Sequence, residues 1–208
     1  EVKRLYQQRN GAETDAVWSK YGEFRAQYDQ LLREATDDLV PNPDPLGSLI
    51  TYTKSTAQAD NAGYFISASQ KHMPKVLAGI FAWWSVKFYE DLKKRNPHLK
   101  ADPDKLLQPN SVQVVCILRL LGAKEKLQNH LAEVPTGEGK SVILGVLATT
   151  LALYGFNVDC VCYSSMLSSR DCDDFMPMFT AFGLTDRIRY GTFDTLCEQL
   201  LTEKYGDL

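Results

Sequence analysis

Large apolar residues recur at helical spacing in the first half of the chain and in shorter, separated blocks in the second half. Between residues 17 and 35 and between residues 74 and 95 they return every three or four positions, which predicts two helices with extensive buried faces. The proline-rich stretch at residues 41–45 predicts the end of the first helix. Residues 46–72 fit a helix and a loop equally well.

From residue 107 onward, helical blocks alternate with short runs that are rich in apolar residues. A helix is predicted from Asn110 or Ser111, either of which can cap it, to Gly122. Strands are predicted at residues 131–134, 158–163 and 187–190, and helices at residues 140–153, 168–182 and 193–204. This alternation predicts an α/β fold, with a helical region over residues 1–106 and part of a parallel sheet flanked by helices over residues 107–208.

A glycine-bearing turn connects the predicted strand 131–134 to the predicted helix 140–153. Its sequence is Thr136-Gly137-Glu138-Gly139-Lys140-Ser141. The glycines allow the backbone to curl so that its N–H groups point at phosphate oxygens. Lys140 would place a charge at the β- and γ-phosphates, the Ser141 hydroxyl would ligate Mg²⁺, and the helix N-terminus would favour the same anion.

The order of strand, turn, Gly-Lys-Ser and helix predicts a phosphate-binding loop, although Val134 stands where the general pattern has its first glycine. The alternative is a tight turn between strand and helix with an exposed lysine. That alternative leaves unexplained why two glycines, Thr136 and Ser141 crowd into six residues. Nucleotide binding is therefore the interpretation that the motif favours.

Composition limits the other classes of function. The chain has 208 residues, of which 44% are hydrophobic and 24% are charged, as in soluble globular proteins. Its 23 basic and 26 acidic residues give a net charge of −3, which provides no electrostatic footprint for nucleic acid. The longest apolar runs, residues 76–86 and 142–153, are shorter than the ~20 residues of a membrane-spanning helix. The first residue is not methionine, so we expect a fragment or a processed chain.

The five cysteines are odd in number and show no C-x-x-C spacing. We expect buried free thiols in a reducing compartment, which predicts a cytoplasmic protein without a cysteine metal site. The three histidines are scattered along the sequence, and we expect them to be structural.

Several motifs together resemble one family. Residues 132–141 read A-E-V-P-T-G-E-G-K-S and are similar to the A-E-M-R-T-G-E-G-K-T of SecA-type preprotein translocase motors, which also lacks the early glycine. Residues 111–115 are similar to the D-V-Q-L segment of the first nucleotide-binding, DEAD-like domain of those motors. Arg170-Asp171, the later Gly183-Leu184-Thr185 and the Y-G-T at residues 190–192 follow the same order as in the family.

The resemblance, which covers about residues 107–201, implies a P-loop ATPase of superfamily 2 that uses ATP and Mg²⁺ to move a polypeptide. It implies that Lys140 stabilises the phosphates, Ser141 holds Mg²⁺ and Gln113 recognises adenine. It also implies that the backbone amides of the stretch Gly137-Glu138-Gly139-Lys140 surround the phosphates and that Thr136 belongs to the nucleotide-binding residues. The implied partners are ATP or ADP and a polypeptide substrate or protein partner, with possible peripheral contact to a membrane and no nucleic acid.

The chain also departs from the family pattern. Gln108 and Asn110 stand where the family has a basic and an aromatic residue near the adenine. The acidic strand that holds Mg²⁺ is absent, and no apolar strand precedes Asp171, Asp173 and Asp174, so we expect the hydrolytic residues to lie beyond residue 208. Two alternatives remain open: a non-catalytic interaction module that kept the fold, and, less favoured by the charge, an RNA or DNA helicase.

Overall fold

The computed structural model describes residues 11–36, 42–60, 71–98, 106–122 and 129–206. In this part of the chain the structure is mostly helical, with one small parallel sheet. In chain order the elements are α1 (Gly11–Thr36), α2 (Pro45–Ala59), α3 (Met73–Arg95), α4 (Ser111–Leu120), α5 (Lys140–Leu153), β1 (Val158–Val161), α6 (Ser165–Ala181), β2 (Ile188–Gly191) and α7 (Phe193–Tyr205).

The chain divides into two compact units, residues 1–146 and residues 147–208, and the boundary falls inside α5. The division predicted from the sequence, at residues 106 and 107, stays a prediction. None of the helices in the described ranges combines the length and the apolar character needed to cross a bilayer.

Helices α1 and α3 build the core of the first unit. Phe24 and Tyr28 of α1 and Phe81 of α3 are completely buried, and the rings of Phe24 and Phe81 meet edge to face at 5.8 Å. The helical periodicity at residues 17–35 and 74–95 is therefore confirmed, and it marks the faces along which these two helices pack. Burial of large aromatic side chains is the main source of stability that this core offers.

Helix α2 occupies the first part of residues 46–72, which the sequence left open between helix and loop. Asp44 caps it by accepting a hydrogen bond from the Gly47 N–H at 2.9 Å, with Pro45 at the first helical position. The helix packs against α3 at Gly79, where an added Cβ would lie only 2.1 Å from Thr53 Oγ1. Residues 61–70 lie outside the described residues.

Strands β1 and β2 form the parallel sheet of the second unit, with α6 as the connection between them. Their register pairs Val158 with Ile188, so the strands predicted at residues 158–163 and 187–190 are confirmed in slightly different bounds. On one side of the sheet, Phe179 of α6 stacks on Tyr190 of β2 at 6.0 Å.

The strand predicted at residues 131–134 is wrong. These residues have no strand structure, and the Leu131 side chain is fully exposed rather than buried as a central strand would require. A strand exists only where its backbone groups pair with a neighbouring strand. Here the Val134 carbonyl instead accepts a hydrogen bond from the Lys140 ammonium group. The sheet expected around the phosphate loop is thus not found in the part of the chain that the structure describes.

Candidate functional site

The Gly-Lys-Ser segment forms a tight turn that leads directly into a helix. Gly137 and Gly139 have φ values of 92° and 75°, a region that glycine adopts without the steric cost paid by other residues. The Glu138 N–H donates to the Pro135 carbonyl at 3.4 Å, and α5 begins at Lys140. The predicted bounds of this helix are confirmed at both ends. The turn therefore places the N-terminus of α5 next to two glycines, as in an anion-binding loop.

Gln113, on the first turn of α4, holds this loop from the side. Its Nε2 donates to the Glu138 carbonyl at 3.1 Å, and its Oε1 accepts from the Asn110 N–H at 3.0 Å. A Cβ added at Gly139 would stand 2.3 Å from Gln113 Nε2. The structure thus brings Gln113 to the loop, where its amide contacts the loop backbone and the α4 cap, and its predicted role in adenine recognition stays a prediction.

Asn110 makes a second connection between α4 and the loop. Its Oδ1 accepts from the Val112 N–H at 3.1 Å and so caps the helix, while its Nδ2 donates to Glu138 Oε2 at 2.9 Å. From the sequence, Asn110 was predicted to be a helix cap and was noted where the family has an aromatic residue, but its contact to Glu138 was not predicted. The spacing of Asn110 and Gln113 matches the capping-box pattern, which could have predicted the cap but not the link to the loop.

Lys140 folds back over the start of its own loop. Its exposed ammonium group donates to the Val134 carbonyl at 2.9 Å and to the Pro135 carbonyl at 3.1 Å. An ammonium group has three donors, so these two bonds leave one N–H available. Thr136 is exposed at the turn, and Ser141 lies half-buried in the first turn of α5. The candidate site residues of the loop are therefore adjacent, with Gln113 beside them.

The acidic residues considered as metal ligands are not part of this loop. Asp171 is largely buried in α6 and accepts hydrogen bonds from the exposed Arg170, the shorter at 2.6 Å. Asp159, the acidic residue of β1, is held by the Arg189 guanidinium at 2.7 and 3.3 Å. Across the described residues no group of three or more His, Cys, Asp or Glu side chains is placed to hold a metal ion.

A largely apolar cleft of about 390 Å³ adjoins the loop at Val134. One face of α4 forms one wall, and the extended residues before the loop form the other. The lining residues are Val112, Val115, Cys116, Arg119, Leu120, His130, Leu131, Ala132, Glu133 and Val134. The cleft falls within the size range of small-molecule sites.

All five cysteines are free, as predicted, but the burial expected of them is confirmed for Cys160 alone, because the other four are half-buried. Cys160 is the most deeply buried of them. Burial raises the pKa of its thiol to about 12, so the group remains protonated at neutral pH. A protonated, buried thiol is neither a good nucleophile nor a metal ligand, and this agrees with a packing role.

Comparison with known proteins identifies relatives of this sequence. The family profile of the SecA DEAD-like domain matches residues 3–196, including the helical residues in which no family motif was recognised. Protein translocase subunit SecA 3 of Magnetococcus marinus is 35% identical over 83 residues, which are 40% of this chain and 13% of that protein. Protein translocase subunit SecA 2 of Bordetella avium is 39% identical over 70 residues, which are 34% of this chain and 11% of that protein.

The chain thus spans only about a tenth of the length of these curated relatives. No solved structure gives a significant match. The family profile nevertheless covers most of the sequence, far more than the individual alignments do. By this match, the chain belongs to the SecA DEAD-like domain family.

Proposed function

We propose that this chain is the ATP-binding part of a SecA-like motor that couples ATP hydrolysis to the movement of a polypeptide. The observation that carries the proposal is the backbone of the loop. Two glycines with positive φ stand immediately before a helix that begins at Lys140. Such a turn presents consecutive N–H groups to an anion, which is how phosphate groups are held in P-loop proteins.

The residues present fit a nucleotide phosphate and Mg²⁺. A Cβ at Gly139 would displace the end of the Gln113 side chain, and the positive φ of this residue strains any side chain there, so the position favours glycine. Lys140 would exchange its bonds to two loop carbonyls for bonds to phosphate oxygens, which carry far more negative charge. Ser141, one residue later on the first turn of α5, offers the hydroxyl that a P-loop uses to hold the metal.

Each residue of the candidate site would have a defined role in the reaction. The phosphates would be surrounded by four backbone N–H groups of the loop, those of Gly137, Glu138, Gly139 and Lys140. Thr136 would lie at the entrance of the turn. Gln113 still has one N–H and one lone pair that it does not use in its present bonds, so it can recognise an adenine edge without leaving the loop. Mg²⁺ would neutralise part of the phosphate charge, and positioning of the phosphates by these residues is the main catalytic contribution expected.

The polypeptide partner follows from the family. The relatives are named protein translocase subunits, and we propose that the whole protein acts on a polypeptide or a protein partner, in the cytoplasm and without nucleic acid. A helicase function is less favoured because the net charge is −3 and nucleic-acid binding depends on basic surfaces.

A non-catalytic module that binds nucleotide without turnover is the second candidate. It is favoured by Gln108 and Asn110, which stand where the family has a basic and an aromatic residue near the adenine. Under this alternative the loop binds ATP and the 208-residue chain releases no phosphate from it. The same outcome is expected if the hydrolytic acid belongs to another part of the protein.

Ligand-dependent thermal unfolding tests the proposal. A ligand that binds only the folded state at 100 times its Kd stabilises a protein by about 2.7 kcal/mol, which corresponds to roughly 5–10 °C for a chain of this size. We expect such a shift with ATP and Mg²⁺ and none with adenosine, which lacks phosphate. An equal response to a single-stranded RNA would instead favour the helicase, and no response to millimolar ATP or ADP would refute nucleotide binding.

A further inference from the structure

Glu138 of the phosphate loop accepts hydrogen bonds from two side chains at the start of α4, and none of the roles above uses its side chain. Its carboxylate accepts a hydrogen bond from Asn110 Nδ2 at 2.9 Å, and its carbonyl accepts one from Gln113 Nε2 at 3.1 Å. Two amide side chains, three residues apart at the N-terminus of one helix, therefore hold the carboxylate and the carbonyl of a single loop residue.

The bond to the carbonyl fixes the orientation of one peptide group. In a planar trans peptide the C=O and the following N–H point in opposite directions. Because the Glu138 carbonyl points at Gln113, the Gly139 N–H points away from α4. The amide of Gln113 thus keeps this N–H available for an anion on the other side of the loop.

The bond to the carboxylate controls a negative charge inside an anion-binding loop. Glu138 follows Gly137 directly, so its free carboxylate would be within reach of the same N–H groups that a phosphate needs. In the structure Asn110 holds this carboxylate at the N-terminus of α4, where the helix carries partial positive charge. The contact keeps the charge away from the loop amides and also reduces its repulsion of phosphate.

From this geometry we propose that Asn110 is a positioning residue for the phosphate loop: it holds the Glu138 carboxylate on α4 and so prevents it from competing with phosphate for the loop N–H groups. The inference rests on the proposed nucleotide binding. It assigns a function to the position where the family has an aromatic residue, and it makes binding of the phosphates, rather than of the base, depend on Asn110.

Two substitutions and their combination separate this role from a structural one. Asn110→Ser keeps a good helix cap but removes the donor that reaches Glu138. Glu138→Gln removes the negative charge. Binding of inorganic pyrophosphate and of ADP to the full chain is measured by calorimetry, and the melting temperature of each variant is recorded in parallel.

We expect Asn110→Ser to weaken pyrophosphate binding by about three- to ten-fold, as for the loss of one exposed hydrogen bond to a charged group. Glu138→Gln should bind pyrophosphate more tightly than the unsubstituted chain. The double variant should bind pyrophosphate within about two-fold of the affinity of Glu138→Gln alone. Without the negative charge at position 138, the Asn110 amide no longer has a carboxylate to hold away from the loop N–H groups. The melting temperature of Asn110→Ser should stay close to that of the unsubstituted chain.

Three results would overturn the inference. These are an unchanged pyrophosphate affinity in Asn110→Ser, a loss seen with ADP but not with pyrophosphate, or an equal loss whether or not Glu138 is charged. The second result would place Asn110 at the base instead of the phosphates. Failure of the unsubstituted chain to bind either ligand would refute the proposed function itself, and that outcome is distinct because it appears before any substitution is made.

Discussion

Gln113 occupies the space that a side chain at position 139 would need: a Cβ built on Gly139 would lie 2.3 Å from Gln113 Nε2. These two residues are far apart in sequence, and their contact joins helix α4 to the turn before α5. The absence of a side chain at Gly139 therefore allows both the positive φ of the turn and the hydrogen bond from Gln113 to Glu138.

Gly139→Ala should weaken nucleotide binding more than Gly137→Ala does. Both substitutions put a Cβ at a positive φ, which costs about 1–2 kcal/mol. Only the substitution at Gly139 also displaces the Gln113 amide, because nothing lies within 4 Å of a Cβ at Gly137. ADP affinity and melting temperature measured on the two variants check this difference. Equal losses of affinity would show that Gln113 does not support the loop.

The sequence predicted several local elements of the fold well. The bounds of α5 were correct because Gly139 marks its start and Gly155 its exit, and both glycines have positive φ. The strands β1 and β2 were recognised from a few strand-favouring residues, the β-branched Val158, Val161 and Ile188 and the aromatic Tyr190. These signals act over a few residues, so they can be recognised without knowledge of the fold.

The parts that failed depend on distant residues. The stretch at 131–134 looks like a strand, but strand structure needs a pairing partner, and the sequence of one segment does not reveal whether that partner is present. The bond from Asn110 to Glu138 spans 28 residues, and no periodicity or motif predicts it. Helix α2 was left open because Thr and Ser at 51–56 lower its helical preference, and its packing on α3 decides the outcome.

Ser85→Ala should destabilise the first unit by about 1–3 kcal/mol. The Tyr28 hydroxyl lies 2.9 Å from Ser85 Oγ, and both residues are buried. Because Ser85 Oγ is also within hydrogen-bond distance of the carbonyls of Phe81 and Leu107, its single hydrogen is directed to a carbonyl, and the Tyr28 hydroxyl donates to it. Without Ser85 this hydroxyl has lost its acceptor in the core.

Urea unfolding of Ser85→Ala, Tyr28→Phe and the double variant measures this interaction. Tyr28→Phe removes the donor itself, so it should lower the free energy of unfolding by less than Ser85→Ala does. The double variant should be close to Ser85→Ala or more stable, since the unsatisfied hydroxyl is then absent. If the double variant lost as much unfolding free energy as the two single variants together, the two groups would not interact.

Cys160 should react with a maleimide far more slowly than Cys162 in the folded protein, and at the ordinary thiol rate after unfolding in guanidinium. Cys160 is buried in β1, whereas Cys162, two residues later, is only half-buried. Burial raises the pKa of Cys160 from 9.0 to about 12, so little thiolate forms at neutral pH. Peptide mass spectrometry reports the rate at each site, and equally fast labelling of Cys160 would contradict its placement.

The same pKa shift predicts how stability depends on pH. The unfolded thiol of Cys160 ionises near its ordinary value of 9.0, whereas the folded one stays protonated up to about 12. The unfolded state therefore binds fewer protons in this window, and the stability contributed by this residue is lost as the pH rises through it. The melting temperature of Cys160→Ala should fall less between pH 9 and pH 11 than that of the unsubstituted chain.

The central claim is that the turn before α5 binds the phosphates of a nucleotide through Lys140. Calorimetric titration of ATP with Mg²⁺ into the unsubstituted chain and into Lys140→Ala tests it most directly. We expect an affinity loss of roughly 10- to 150-fold, as for the loss of a charge-assisted contact of about 1.5–3 kcal/mol. The melting temperature should barely change, because the exposed ammonium group contacts only two carbonyls of its own loop. An unchanged Kd in a variant with an unchanged melting curve would contradict the account.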